Sequence, residues 1–111
     1  MGPYRIRFSD SDGWQESGGF RSKREIHGST SLRLLEILST ASHPEWCEVG
    51  HAGAVIEGSL EIEFQDRTLR YEPGDALLIP PGPAHRHRPR AVTDRVRLVL
   101  VDDPGGPEIL G

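Results

Sequence analysis

The sequence predicts an all-β fold, either a sandwich or a barrel. Its 111 residues include 13 glycines and 9 prolines, which interrupt the chain often and leave only short segments between them. Several of these segments alternate apolar and polar residues, as a strand does when one face is buried and the other meets water. Many short strands with frequent turn residues are typical of sandwiches and barrels.

The clearest strands lie in the middle of the chain and predict a hairpin. Residues 60–64 read Leu-Glu-Ile-Glu-Phe, which has a period of two. Residues 65–67 form a short polar turn, and Leu69 and Tyr71 then alternate with polar neighbours. The two runs are therefore expected to pair with each other.

Two further strands are predicted, and one segment is ambiguous. Residues 76–79 are a continuous apolar run, which predicts a strand buried on both faces. Residues 96–101 are rich in Val and Leu with alternating character, which predicts a late strand. In residues 31–41 the leucines have helical spacing in one reading and strand spacing in another, so both structures remain open.

Length, charge and cysteine content limit the class of protein. A chain of 111 residues makes one domain, which we expect at 21–103 between an N-terminal arm at 1–20 and a C-terminal tail at 104–111. The net charge of −4 argues against a nucleic-acid partner, and no apolar run approaches the roughly 20 residues of a membrane span. One cysteine and no recognisable export signal lead us to expect a cytoplasmic location.

Residues that can hold a metal ion concentrate in two stretches of the chain. Glu45 and Cys47 are two apart, so in a strand they share a face about 6.6 Å apart and can meet one ion. His51 follows a turn-prone Val-Gly pair and can return to the same place from the next strand. His85 and His87 also share a face if their stretch is extended.

The second of these stretches follows a segment that resembles a motif of the cupins and ends at His85. Cupins are small jelly-roll proteins built on a double-stranded β-helix. That motif requires Gly, Pro, Gly and His at set spacings, and Gly74, Pro80, Gly82 and His85 match each position. The first cupin motif closes at a glycine, which Gly58 matches.

The first motif departs from the family pattern at its metal-binding positions. Glu45 and Cys47 stand where cupins have two histidines, and His51 stands where they have a glutamate. The string Glu-Trp-Cys-Glu-Val-Gly-His at 45–51 resembles a bacterial subgroup of small single-domain cupins. That subgroup also has two histidines one residue apart in its second motif, as at His85 and His87.

The resemblance, which covers about residues 21–102, implies both a fold and a ligand set. It implies a jelly-roll barrel in which 31–41 is a strand. It implies that Glu45, Cys47, His51 and His85 bind one divalent transition metal ion. It also implies a homodimer formed through sheet edges, with an N-terminal arm able to add a strand to the partner.

The chemistry of these ligands narrows the choice of metal. A thiolate favours zinc, iron, copper or nickel over magnesium or calcium. If all four residues bind, the site is closed and suits a structural or sensing role. If three bind, an open position permits water activation or oxygen chemistry. Ligand types alone leave both arrangements open.

Three residues of the second motif are candidates for other roles. His87 is a candidate catalytic acid or base, an additional ligand, or a group that orients a ligand. Arg86 and Arg88 are candidates to hold an anionic substrate, because arginine binds carboxylates through two parallel hydrogen bonds. The alternative for both arginines is an exposed, solvated loop.

We expect a small metalloenzyme of the dioxygenase, isomerase or lyase type that acts on a small polar or anionic metabolite inside the barrel. A non-catalytic module that senses or binds a small molecule or metal is the main alternative. A metal-free structural domain is the third hypothesis.

Overall fold

The computed structural model describes residues 4–11, 13–42 and 45–102. The strands, numbered in chain order, are β1 (Gln15–Ser17), β2 (Phe20–His27), β3 (Thr30–Leu38), β4 (His51–Glu57), β5 (Leu60–Phe64), β6 (Thr68–Tyr71), β7 (Ala76–Ile79), β8 (His87–Ala91) and β9 (Arg95–Asp102). Short 3₁₀ helices lie at Phe8–Asp10 and Pro83–His85. Neither of these helices has the length or the apolar character needed to cross a lipid bilayer.

The strands form two antiparallel sheets, which confirms the predicted all-β class. One sheet has six strands in the order β1-β2-β3-β9-β4-β7, and the other has three in the order β6-β5-β8. The predicted hairpin is confirmed, because β5 pairs with β6 with Ile62 opposite Leu69. The ambiguous segment is a strand through Leu38, and it pairs along its length with both β2 and β9.

The core lies between the inner faces of the two sheets. Strand β9 confirms the predicted alternation, since Val96, Leu98 and Leu100 are all buried. The buried apolar cluster consists of Ile37, Val55, Leu60, Ile62, Leu77, Ile79, Ala91, Val96, Leu98 and Leu100. Hydrophobic contact between these side chains fixes the separation of the sheets and so the width of any space left between them.

Strand β7 corrects one expectation, because only one of its faces is buried. Leu77 and Ile79 are buried, whereas Leu78 between them is 84% exposed. The continuous apolar run suggested a strand covered on both sides, but each sheet here turns only its inner face to the core. Such one-sided burial is common in antiparallel sheets.

The first part of the chain packs on the protein's own sheet. Gln15–Ser17 pairs with β2, and the guanidinium carbon of Arg21 lies 4.2 Å from the centre of the Trp14 ring. The Lys23 ammonium donates a 2.9 Å hydrogen bond to the carbonyl oxygen of Phe8. Addition of a strand from this arm to a partner stays a prediction, and the predicted tail at 104–111 lies outside the described residues.

Candidate metal centre

Backbone pairing brings Cys47 and His87 together. Each donates its backbone N–H to the other's carbonyl oxygen, at 2.8 and 2.9 Å, as an isolated antiparallel bridge. Directly opposite residues in such a pair project their side chains to the same side. The bridge therefore aims the Cys47 thiol and the His87 ring into the same space, although 40 positions separate them in the numbering.

His51 reaches the same space from the larger sheet. It is the first residue of β4 and pairs with Ile79 of β7, whose side chain is buried. The rings of His51 and His87 are 5.3 Å apart at their centres and lie at 75° to each other. One potential ligand atom from each of Cys47, His51 and His87 lies within 4.8 Å of the other two.

The His87 ring is held in one orientation by a backbone group. The side chain is only 3% exposed, and its Nδ1 lies 3.0 Å from the carbonyl oxygen of His85. A carbonyl oxygen only accepts, so Nδ1 is the donor in this contact, and in the neutral ring the lone pair is on Nε2. Metal-binding histidines commonly donate their other ring N–H to a carbonyl or a carboxylate in this way.

The surroundings of Cys47 favour its thiolate. A hydrogen bond with His51 lowers the pKa of the thiol below its ordinary value and outweighs the opposing effect of burial. The backbone of Val49 and the charge of Arg33 lower the pKa further. The thiolate is the form of cysteine that binds metals.

The Nδ1 atom of His51 is buried and has no hydrogen-bond partner among the described residues. Buried polar atoms are normally satisfied, and one that is not requires a specific explanation. A hydrogen bond from a bound ligand, or coordination of an ion, would satisfy this ring nitrogen.

The three side chains line a cavity between the sheets. The cavity has a volume of about 920 Å³, near the upper end of the range typical of small-molecule sites. Much of its wall is apolar and includes the inner residues Leu35, Leu98 and Leu100. Arg24 and Arg33 also line it.

The cluster includes some of the predicted site residues and leaves others outside. Cys47 and His51 are members, and His87, predicted in another role, is the third. Glu45 is exposed, and so is His85, the last residue of the 3₁₀ helix at Pro83–His85. Neither of these two belongs to the group of ligand atoms found among the described residues.

Arg86 and Arg88, the predicted substrate-binding residues, pack on Trp46. Their guanidinium carbons lie 5.0 and 4.2 Å from the centre of its ring. Arg88 also donates a 2.8 Å hydrogen bond to Glu63 at the surface. Neither arginine is among the described residues that line the cavity containing Cys47.

Arg24 and Arg33 were not singled out from the sequence. The signal that could have found them is the Gly28-Ser29 pair, which joins β2 to β3 as a two-residue turn. Such a turn fixes the register of a hairpin, and here that register sets Arg24 opposite Arg33.

The donor set fits a transition metal. Ligands held at about 2.0–2.3 Å from a tetrahedral ion are about 3.3–3.8 Å apart. The three ligand atoms here lie within 4.8 Å of one another. The side chains therefore need to move only slightly to bind one ion. One sulfur and two imidazole nitrogens suit zinc, iron, nickel or copper, and suit magnesium and calcium poorly.

Two antiparallel sheets around a common core and a cavity agree with the jelly-roll architecture expected from the motifs. A family model described as a cupin domain matches residues 39–102. The chain therefore belongs to the cupin family, as its motifs predicted. A search of curated proteins gave no match.

Solved structures support the same fold. KdgF from a Halomonas species is 22% identical, with a TM-score of 0.65 over 84% of this chain and 88% of its own. A cupin 2 conserved barrel domain protein from Salinispora arenicola is 16% identical, with a TM-score of 0.66 over 87% of this chain and 86% of its own. A sugar phosphate isomerase of the cupin superfamily from Silicibacter pomeroyi is 18% identical, with a TM-score of 0.70 over 87% of this chain and 73% of its own.

Proposed function

We propose that this protein is a cupin that binds one divalent transition metal ion through Cys47, His51 and His87 and is a small metalloenzyme. Its substrate is a small polar or anionic metabolite bound in the cavity. The observation that carries the proposal is the convergence of three ligand atoms within 4.8 Å on the wall of that cavity.

The arrangement suits an open site. Three protein ligands leave further positions on a metal ion, as in catalytic zinc sites, whereas structural zinc sites have four. Glu45 and His85, the other two ligands predicted from the sequence, are exposed and outside the group. We therefore propose that neither is a ligand and that a position facing the cavity is left for water or substrate.

The roles of the protein groups follow from their contacts. The His85 carbonyl accepts a hydrogen bond from Nδ1 of His87 and so leaves Nε2 as the ring nitrogen available to an ion. The His51 hydrogen bond favours the thiolate of Cys47, and apolar side chains form much of the wall beside it. A metal held there would supply Lewis acidity or an activated water.

The reaction class proposed is the one expected from the sequence: dioxygenase, isomerase or lyase. One similar structure is described as a sugar phosphate isomerase, but at 18% identity this likeness supports the fold alone. A non-catalytic binding or sensing module is the alternative. The metalloenzyme and the non-catalytic module differ in whether the metal keeps a coordination position that water or substrate can exchange into.

Metal analysis of the purified, untagged protein tests this proposal. After reconstitution we expect stoichiometric metal by mass spectrometry in the wild type and a large loss in Cys47→Ser, His51→Ala and His87→Ala. The matched control is His85→Ala, which removes a ring but keeps the carbonyl that orients His87, so its metal content should stay close to that of the wild type.

Three results would contradict the proposal. Absence of stoichiometric metal from the wild-type protein would favour the third hypothesis, a metal-free structural domain. A His85→Ala variant as depleted as His87→Ala would favour the ligand set expected from the sequence. Four protein ligands and no exchangeable water, seen by X-ray absorption, would favour the non-catalytic alternative.

We also propose the cytoplasmic location expected for a chain with one cysteine.

We further propose a homodimer. The outer face of the larger sheet carries an apolar patch, which we define as Ala52, Ile56, Leu78 and Val101. Leu78 is 84% exposed, Ile56 51% and Val101 40%, and Ala52 lies opposite both Leu78 and Val101. Large contiguous apolar patches are typical of protein interfaces.

A further inference from the structure

Two arginines stand side by side on the inner surface of the larger sheet. The register of β2 and β3 sets Arg24 directly opposite Arg33, and both line the cavity that contains Cys47, His51 and His87. Like charges directly opposite each other in a sheet repel. Such a pair therefore costs stability unless negative charge lies close to it.

Arg33 lines the same cavity as the candidate metal ligands. The Arg33 side chain is partly buried, whereas Arg24 is exposed.

We propose that Arg24 and Arg33 bind the oxyanion group of the substrate, a carboxylate or a phosphate ester. They hold it in the cavity so that the rest of the molecule faces Cys47, His51 and His87. The placement of the substrate beside a metal rests on the proposed function. The anion site itself rests on the register and the cavity.

The chemistry of arginine suits this role. Its planar guanidinium forms two parallel hydrogen bonds to a carboxylate or a phosphate and stays charged at every ordinary pH. Both arginines also interact with other groups of the protein, so the anion would join or displace existing contacts. Since the cavity wall is largely apolar, the anion's charge would be screened less there than at the surface.

Other arginines of the chain are engaged elsewhere. Arg86 and Arg88 lie over Trp46. Arg21 lines the cavity too, but its Nε donates a 2.6 Å hydrogen bond to the buried carboxylate of Glu36. The anion site is assigned to Arg24 and Arg33 because they lie directly opposite each other and both line the cavity, which Arg86 and Arg88 do not.

Calorimetric titration with two probes, succinate and inorganic phosphate, tests the assignment. Each probe is titrated into zinc-loaded and metal-free protein, for the wild type and for Arg24→Met, Arg33→Met and the double variant. Arg70→Gln is the matched control, because Arg70 is exposed on β6 and pairs with Glu72. Thermal unfolding confirms that each variant is folded, and zinc stoichiometry is measured alongside.

We expect each single variant to weaken binding of at least one probe about tenfold, since a charge-assisted hydrogen bond contributes on that scale. The double variant should abolish binding, Arg70→Gln should match the wild type, and zinc content should be unchanged throughout. A stronger response to succinate assigns the site to carboxylates, and a stronger response to phosphate assigns it to phosphate esters.

Failure of this inference is distinguishable from failure of the proposed function. If folded arginine variants bind both probes as well as the wild type, or if the wild type binds neither probe, the anion site is wrong whatever the zinc content. If zinc does not bind but arginine-dependent anion binding persists, the metal proposal fails and the anion site stands.

Discussion

Glu36 shows how a single charged residue is accommodated in this fold. Its side chain is only 1% exposed, and its two carboxylate oxygens accept hydrogen bonds of 2.6 Å from Arg21 and 2.8 Å from Arg97. Burial is the largest influence on this carboxyl and raises its pKa. The hydrogen bonds and charges of the two arginines together lower the pKa below the ordinary value of 4.5.

Replacing Glu36 with glutamine should destabilise the protein by about 2–3 kcal/mol, because it breaks hydrogen-bonded charge pairs at a buried position. Urea unfolding measures the change. The matched control is Glu63→Gln at the exposed pair with Arg88, which should cost about 0.5 kcal/mol or less. Equal effects of the two substitutions would contradict this account of Glu36.

The same residue sets a pH dependence. The folded pKa of Glu36 lies below its ordinary value, so its stabilising effect is complete above about pH 4.5 and is lost as the pH falls through the folded pKa. The difference in unfolding free energy between wild type and Glu36→Gln should therefore shrink on acidification. If the difference in unfolding free energy between wild type and Glu36→Gln stays constant from pH 7 to pH 3, the lowered pKa of Glu36 is contradicted.

At the scale of elements, the contact between β4 and β9 requires a residue without a side chain. Gly53 lies opposite Leu100, and a Cβ placed on it would lie 2.1 Å from the carbonyl oxygen of Val99. Only glycine allows the two backbones to approach so closely. This contact matters to the site, because His51 is two residues away on the same strand.

Gly53→Ala should destabilise the protein by about 1–3 kcal/mol, the usual cost of forcing extra atoms into a packed region. Thermal unfolding measures the loss. Gly13→Ala is the control, since a Cβ there has nothing within 4 Å, and it should be nearly neutral. A neutral Gly53→Ala would show that the strands can separate at little cost.

At the scale of the whole molecule, the larger sheet has one face toward the core and another that carries the outer apolar patch. Leu78 is the most exposed member of that patch, and its strand β7 is at the edge of the sheet. Edge strands are commonly protected by pairing or by covering. A second copy of the chain would cover both the edge and the patch.

Leu78→Glu should therefore convert a dimer into a monomer, because it would bury a charge in the interface without a partner. Sedimentation velocity measures the change in mass. Thr68→Glu is the control, since it adds the same charge at an exposed position of the smaller sheet, and it should stay dimeric. A monomeric wild type, or a dimer that tolerates Leu78→Glu, would contradict the proposed interface.

Local patterns predicted the four strands β5, β6, β7 and β9 and left the segment that forms β3 open. The alternation in residues 60–64 and in 96–101 depends only on the pleat of the backbone, which sends neighbouring side chains to opposite faces. The same logic failed for residues 76–79, where the run Ala-Leu-Leu-Ile has no polar residue to mark the exposed side. Exposure of Leu78 follows from the lack of a covering layer within the described part of the chain.

The candidate site could be predicted only in part. Cys47 and His51 followed from the motif, and both remain predicted ligands. The expectation that His85 and His87 share a face assumed an extended stretch. The 3₁₀ helix at Pro83–His85 breaks that alternation, so the ring of His87 enters the cavity while His85 contributes its carbonyl group.

The sequence by itself determined the all-β class, the cupin motifs and the supply of thiol, imidazole and guanidinium groups, because these depend on neighbouring residues and short spacings. The tertiary structure decided which of these groups meet. The bridge between Cys47 and His87 and the pairing of Arg24 with Arg33 are contacts between separate strands. Such contacts depend on how the whole chain packs, which local periodicity does not specify.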